Sequence, residues 1–284
     1  MFPPAKRLLF GTAGIPCSAG SASSLSGIER IAELGLDCLE IELVKGIMMG
    51  GETAQKISEK AASCRVELSI HAPYYINLNS AEPGKKLASQ DNLLRAARLA
   101  AKCGARSVVF HAGYYGRIDP GQAYDNIKSS LRDIVSILKS ERNPVILRLE
   151  TMGKKSQFGT LEEVLFLCRE IDGVQPCIDF SHIYAREGKS NSYRDFFRVL
   201  HKAEKKLGTP ALRNLHIHIS GVAFNEKGEL KHINLAESDF HYDDWLQALK
   251  DFGVGGMVIC ESPNLEQDAC WLKDLYWSQE FKHA

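Results

Sequence analysis

The sequence predicts a single (β/α)8 barrel, and three observations carry that prediction. Short apolar, β-branched runs alternate with longer amphipathic stretches through the whole chain, in eight pairs. The runs recur at intervals of about 30 to 40 residues, which suits a strand with its return helix and is too short for inserted domains. No low-complexity linker or shift in composition divides the 284 residues. One barrel spanning about residues 8–278 therefore accounts for the chain. An open doubly wound sheet would ask for a Gly-rich phosphate turn after an early strand, and Gly11-Thr-Ala-Gly14 fits that turn poorly.

In chain order, the expected strands are Leu8–Pro16, Cys38–Val44, Glu67–Tyr74, Ser107–Ala112, Val145–Thr151, Val174–Ser181, Asn214–Ser220 and Gly256–Ser262. Helical period fills the intervals. In Lys86–Cys103, for example, Leu93, Leu94, Ala97 and Ala101 share one face. Gly35, Gly104, Gly173 and Gly253 each come shortly before the next strand, as residues that end helices do. The longest piece without periodicity is Val222–His241, between the seventh strand and its helix. A loop of that length in a compact domain is commonly functional.

Composition excludes several function classes. Lys and Arg number 35 against 35 Asp and Glu, so the surface has no net charge with which to attract nucleic acid from a distance, although a local basic cleft is compatible with that balance. Apolar residues at 44%, charged at 25% and aromatics at 8% are globular values, unlike those of a disordered chain. The cysteines at 17, 38, 64, 103, 168, 177, 260 and 270 are scattered without a Cys-x-x-Cys pair and read as reduced thiols. No run of about 18 apolar residues occurs, and the start lacks the apolar segment of a signal peptide, so a cytoplasmic location without membrane contact is expected.

The informative residues stand at strand ends. His71, His111, Glu150, Asp179 with His182, His218 and Glu261 close six of the eight predicted strands. In a (β/α)8 barrel the C-terminal strand ends converge on one face, where active sites of this architecture sit. Singly, a His after an apolar run is an ordinary hydrogen-bonded strand end, and a Glu there is an ordinary cap or rim ion pair. Together, four imidazoles and three carboxylates gathered in one layer are costly without a cation. Mixed imidazole and carboxylate donors suit zinc, manganese or iron(II) better than calcium or magnesium. Seven donors exceed the needs of one tetrahedral ion, so two or more ions are expected, with Glu150 suited to bridge a pair. Paired ions of this kind serve phosphoester hydrolysis.

The order His71-Ala-Pro-Tyr, His111-Ala-Gly, Glu150-Thr, Asp179-Phe-Ser-His182, His218-Ile-Ser, His232 and Glu261-Ser resembles the endonuclease IV family of apurinic/apyrimidinic endonucleases, within the xylose-isomerase-like barrel superfamily. The resemblance runs from about Leu8 to Leu275. It implies zinc-dependent hydrolysis of the DNA phosphodiester 5′ to an abasic site in base excision repair. It further implies a first zinc on His71 and His111, and a bridge through Glu150 to a second on Asp179, His218 and Glu261. His182 and His232 would belong to a third, and Glu150 and Glu261 would be the catalytic carboxylates. Zn2+ is the implied cofactor, as two or three ions, with Mn2+ as the alternative.

The departures from the family pattern fall together. Where the family places an Asp two residues before the loop His, this chain has Leu230, and the neighbouring Glu229 is the substitute metal ligand on offer. The family's His-x-Asn-Asp is His218-Ile-Ser220-Gly221 here, and its Gly-x-Gly is Ala236-Glu237-Ser238.

For the partner, abasic double-stranded DNA, Tyr74 and Tyr114 follow the ligand strands and supply aromatic surface, Tyr74 at the family position that stacks near the lesion. Lys45, with Met48-Met49 beside it, offers a phosphate contact. Lys154, Lys155, Arg186, Lys189, Lys227 and Lys231 also follow strand ends and offer local positive charge. His216, two residues below His218, is expected to pack inside the barrel. Nothing demands a second subunit, so a monomer is expected. The competing function is a sugar isomerase or epimerase of the same superfamily, with Glu150, Asp179, His218 and Glu261 on one divalent ion and two carboxylates shuttling a proton. That reaction has no need of His71, His111, His182 and His232.

Overall fold

In the computed structural model, which describes residues 7–44 and 46–278, every predicted run contains a strand. These are β1 (Leu8–Ala13), β2 (Cys38–Glu42), β3 (Glu67–His71), β4 (Ser107–Phe110), β5 (Ile146–Glu150), β6 (Val174–Asp179), β7 (Leu215–Ile219) and β10 (Gly256–Cys260), with β8 (Gly221–Asn225) and β9 (Gly228–Ile233) inserted before the last. The eight parallel strands close in the order β1-β10-β7-β6-β5-β4-β3-β2. The observed strands are shorter than the runs because their last residues leave the ladder at the mouth. Gly14, at φ +90°, turns the chain out after β1, while His111 and Glu261 stand one residue beyond β4 and β10.

The helices are α1 (Ser24–Glu33), α2 (Gly51–Cys64), α3 (Pro83–Cys103), α4 (Pro120–Ser140), α5 (Leu161–Glu170), α6 (Phe180–Glu187), α7 (Tyr193–Leu207), α8 (Thr209–Leu212), α9 (Tyr242–Asp251) and α10 (Glu266–Ser278). Gly104 caps α3 in the left-handed conformation, as its position in the sequence predicts. The short helix α6 starts directly at the end of β6. Asp179 is its N-cap and accepts the backbone N–H of His182 at 2.7 Å. That cap fixes Asp179 and His182 side by side at the mouth.

The main apolar core fills the space between barrel and helices. Inside the barrel a small apolar cluster of Leu9, Cys38, Met257 and Ile259 lies on β1, β2 and β10. Elsewhere the interior is largely polar, with Glu40, Ser69, Ser107, Arg148, His216 and His218 all buried beside Val109. Barrels of this class are ordinarily filled by Val, Ile and Leu. A polar interior is tolerable only where its members satisfy one another.

The segment Val222–His241, expected to lack regular structure, opens instead with the antiparallel hairpin β8–β9. Its turn runs through Gly228 at φ +101°, a conformation that a side chain would strain. Gly256 meets a similar constraint in the barrel wall. It has φ +119°, and a Cβ there would lie 1.9 Å from the carbonyl oxygen of Leu215. Gly256→Ala is therefore expected to destabilise the fold by at least about 1–3 kcal/mol, from backbone strain alone. Thermal unfolding checks this, and an unchanged midpoint would contradict the close packing of β10 on β7.

Candidate metal centre

Glu150, at the end of β5 and 1% exposed, is the hub of the mouth. Its Oε2 lies 2.9 Å from His111 Nε2 and 3.3 Å from His71 Nε2. Its Oε1 lies 3.2 Å from His182 Nδ1 and 3.4 Å from His218 Nδ1. One carboxylate thus turns each oxygen to a different pair of imidazoles. His71 is oriented from behind, because its Nδ1 donates to the carbonyl of Ala72 at 2.7 Å and leaves Nε2 facing Glu150.

Three donor groups at the mouth have ligand atoms close enough to hold an ion. They are His71, His111 and Glu150; then Glu150, Asp179, His218 and Glu261; then His182, Glu229 and His232. Glu150 joins the first two. His182 ties the third to the others, since its Nδ1 is 3.4 Å from Asp179 while its Nε2 is 3.4 Å from Glu229 and 3.5 Å from His232 Nε2. The donors fit a divalent ion by chemistry, and also by what they lack. Asp179 Oδ2 and His218 Nδ1 are buried without a hydrogen-bond partner among the described residues. Three carboxylates in one buried cluster repel one another unless a cation lies between them.

Glu229 reaches the third group through an irregularity in the hairpin. In the β8–β9 register, Val222 faces His232 and Ala223 faces Lys231, but Phe224 faces Glu229, so Leu230 is the extra residue of a bulge. In a regular strand, residues three apart lie on opposite faces. The bulge places Glu229 and His232 on the same face, and Leu230 projects outward, 57% exposed. Gly153 makes the space, since a Cβ there would lie 2.7 Å from Cβ of Glu229.

Two of the donors favour their protonated forms. Burial pushes Glu261 up to about 8, with Glu150 and Asp179 adding to the push against the pull of His218. Burial alone would lower His71, but Glu42 and Glu150 beside it raise it to about 10. Burial would likewise raise Glu150, yet His111 and His218 hold it well below the usual carboxylate range.

The three groups open into a cavity of about 430 Å³ whose wall includes Tyr74, Tyr114, Lys154 and Glu42. The Tyr74 hydroxyl donates to Glu42 at 2.5 Å, which keeps its ring 4.6 Å from that of His71. Tyr74 and Tyr114 remain partly exposed, while Tyr75 and Met48 are more so. Lys45 lies outside the described residues. Arg186, one of the cations expected at the mouth, is committed elsewhere, because it donates to the carbonyls of Met152, Lys154 and Gln157.

A family model for the xylose isomerase-like TIM barrel matches residues 28–280. The chain belongs to that family. It is 43% identical to the uncharacterized protein MJ0133 of Methanocaldococcus jannaschii over 95% of this chain and 97% of that protein. It is 27% identical to a probable endonuclease 4 of Mycoplasma pneumoniae over 69% of this chain and 68% of that one. Among solved structures, endonuclease IV from Thermus thermophilus aligns with a TM-score of 0.71 at 19% identity, over 94% of this chain and 98% of that chain. A D-tagatose 3-epimerase-like protein aligns at 0.67 and 21%, over 94% and 97%. At these identities the structural likenesses show the xylose isomerase-like fold alone.

Within this xylose isomerase-like barrel, sequence reasoning missed Glu40 and Glu42. Both lie on β2 and face inward, one at the mouth and one a layer deeper. Their signal was the spacing Glu40-Ile-Glu42, two acids on one face of an otherwise apolar strand. His216, expected only to pack, lies 3.0 Å from Glu40 and is pushed down to about 4 by its burial, so it is neutral.

Two outcomes are expected here. Because Glu261 and His71 are raised, both carry protons at pH 7, and an ion that uses them must displace those protons. Zinc binding should release protons, and apparent affinity should climb between about pH 6 and 8; calorimetry in buffers of different ionisation enthalpy measures this, and zero release would contradict the assignment. Glu229→Ala should weaken ion binding at the group of His182, Glu229 and His232 by about tenfold or more, and Leu230→Asp in that background should not restore it. Ion counting under chelator competition decides, and rescue by Asp at 230 would refute the bulge geometry.

Proposed function

We propose that the protein is a zinc-dependent phosphodiester hydrolase of the endonuclease IV type, cutting duplex DNA 5′ to an abasic site. The observation that carries this reading is the set of three donor groups linked through Glu150 and His182, more than a one-ion sugar enzyme requires. When bound, ions in such a set polarise a phosphoryl oxygen and lower the pKa of a water molecule at neutral pH. His71, His111 and Glu150 would hold the first, Glu150, Asp179, His218 and Glu261 the second, and His182, Glu229 and His232 the third. Glu150 would belong to both groups, since its Oε2 faces His71 and His111 and its Oε1 faces His218.

An abasic nucleotide turned out of the duplex has to enter the cavity while its neighbours stay stacked. Tyr74, pinned by Glu42, lines the wall that receives it, and Tyr114 stands in the same wall. The more exposed Tyr75 and Met48 would supply the apolar surface that fills the gap left in the duplex. Lys154 brings a cation to the cavity, where a phosphate next to the lesion would lie. With no net charge overall, affinity depends on these local contacts, and its salt dependence is shallower than that of a uniformly basic protein. The reading includes action as a monomer in the cytoplasm.

One observation favours a second reading. Glu150, Asp179, His218 and Glu261 form a complete four-donor set by themselves, as an epimerase working with one ion, zinc or manganese, would use. The ion count separates the two readings: two or three per chain support the nuclease and one supports the epimerase.

The direct test is incision of a labelled duplex carrying one abasic analogue. Chelator-sensitive cutting 5′ to the lesion is expected, and a fully loaded protein that leaves the duplex intact would end the nuclease reading. Glu150→Gln should slow incision by about a thousandfold or more, since the charge shared by two ions is lost. An unchanged rate would refute its bridging role.

A further inference from the structure

One layer below the metal centre, Glu40 is fully buried and belongs to none of the donor groups found among the described residues. Its Oε2 accepts a hydrogen bond from Ser69 Oγ at 2.7 Å and lies 3.0 Å from His216 Nε2. Its Oε1 lies 2.9 Å from Nε2 of His218. The other nitrogen of that ring, Nδ1, points into the centre, 3.2 Å from Glu261 and 3.4 Å from Glu150. His218 is thus held between a carboxylate below and two carboxylates above.

We infer that Glu40 is a positioning residue for the metal centre: it keeps a proton of His218 on Nε2, so that Nδ1 is the nitrogen whose lone pair is left for an ion held beside Glu261 and Glu150. The inference rests on the reading of His218 as a metal ligand.

The physical reason is that an ionised carboxylate has only acceptors, so each group within about 3 Å of it has to donate. A ring nitrogen presenting a lone pair at that distance would be repelled. The two imidazole contacts are short without hydrogen-bond alignment, so what favours a proton on the facing nitrogen is the attraction of an N–H to the carboxylate charge. The same logic runs one residue further. His216 turns Nε2 to Glu40 at 3.0 Å and Nδ1 to Ser107 Oγ, 3.5 Å away, so the hydroxyl can donate to the nitrogen that faces away from the carboxylate. Metal-bound imidazoles commonly donate their other N–H to such a partner, and losing it costs about 10–100-fold in metal affinity.

Two measurements on the full chain test this. In protein labelled with 15N-histidine and reloaded with Zn2+, two-bond 1H–15N spectra should show His218 as the Nε2–H form. A proton on Nδ1 in the loaded wild type would overturn the inference without any variant. In Glu40→Gln the amide has only one acceptor oxygen for three donors, so one ion should bind about 10–100-fold more weakly by chelator competition while the remaining ions keep their affinities. Equal affinity for every ion, with circular dichroism showing a folded variant, would also overturn it. Should the variant fail to fold, the wild-type tautomer decides. A wild type that takes up no zinc would remove the ligand reading and this inference together, whereas zinc uptake unaffected by Glu40→Gln would remove the inference alone.

Discussion

The two oxygens of Glu150 divide four imidazoles between them, and the rest of the mouth is arranged around that division. His71 and His111 crowd one oxygen while His182 and His218 crowd the other. A carboxylate this deeply buried is costly unless positive charge surrounds it, and the neighbouring imidazoles supply that charge where a divalent ion would otherwise lie. The strand ends that deliver these side chains are separated by about 30 to 40 residues of sequence, so only barrel closure brings them together. Fold and site therefore rest on the same constraint.

Around this hub the protein spends its polar groups on orientation. Asp179 caps α6 through the backbone of His182 and also enters the second donor group, so one carboxylate places two ligands. His71 is set by the carbonyl of Ala72 and His182 by that of Thr151, at 2.7 and 2.9 Å. Tyr74 is fixed by Glu42. Groups fixed in advance lose little freedom when an ion or substrate arrives, which is how a loop-rich mouth keeps a defined geometry. The unusual polarity of the barrel interior follows, since every oriented ligand needs a partner behind it.

The hairpin keeps a carboxylate beside His182 and His232 although the position at which the endonuclease IV pattern has Asp is Leu230 here. Leu230 occupies the expected acidic position, and in a regular strand Glu229 would have faced away. The bulge shifts the alternation by one residue, sends Leu230 to solvent and returns Glu229 to the face of His232. Gly153, across from it, leaves the room that the longer Glu side chain takes.

The eight-fold alternation, the strand ends carrying His71, His111, Glu150, Asp179, His182, His218 and Glu261, and the glycines before four of the strands were legible in the chain itself. All of these depend on local periodicity, which a single strand or helix expresses without its neighbours. The layer of Glu40, His216 and Ser69 was not legible. Which groups share a depth depends on the stagger of strands that are far apart in sequence. The role of Glu229 was open for a related reason, because the register of a hairpin is set by pairing, and one bulged residue reverses which side chains face inward. Sequence alone thus determined six strand ends that bring His, Asp and Glu donors to the mouth, and tertiary structure decided which side chains meet and which stand behind them, because register and closure are properties of paired strands.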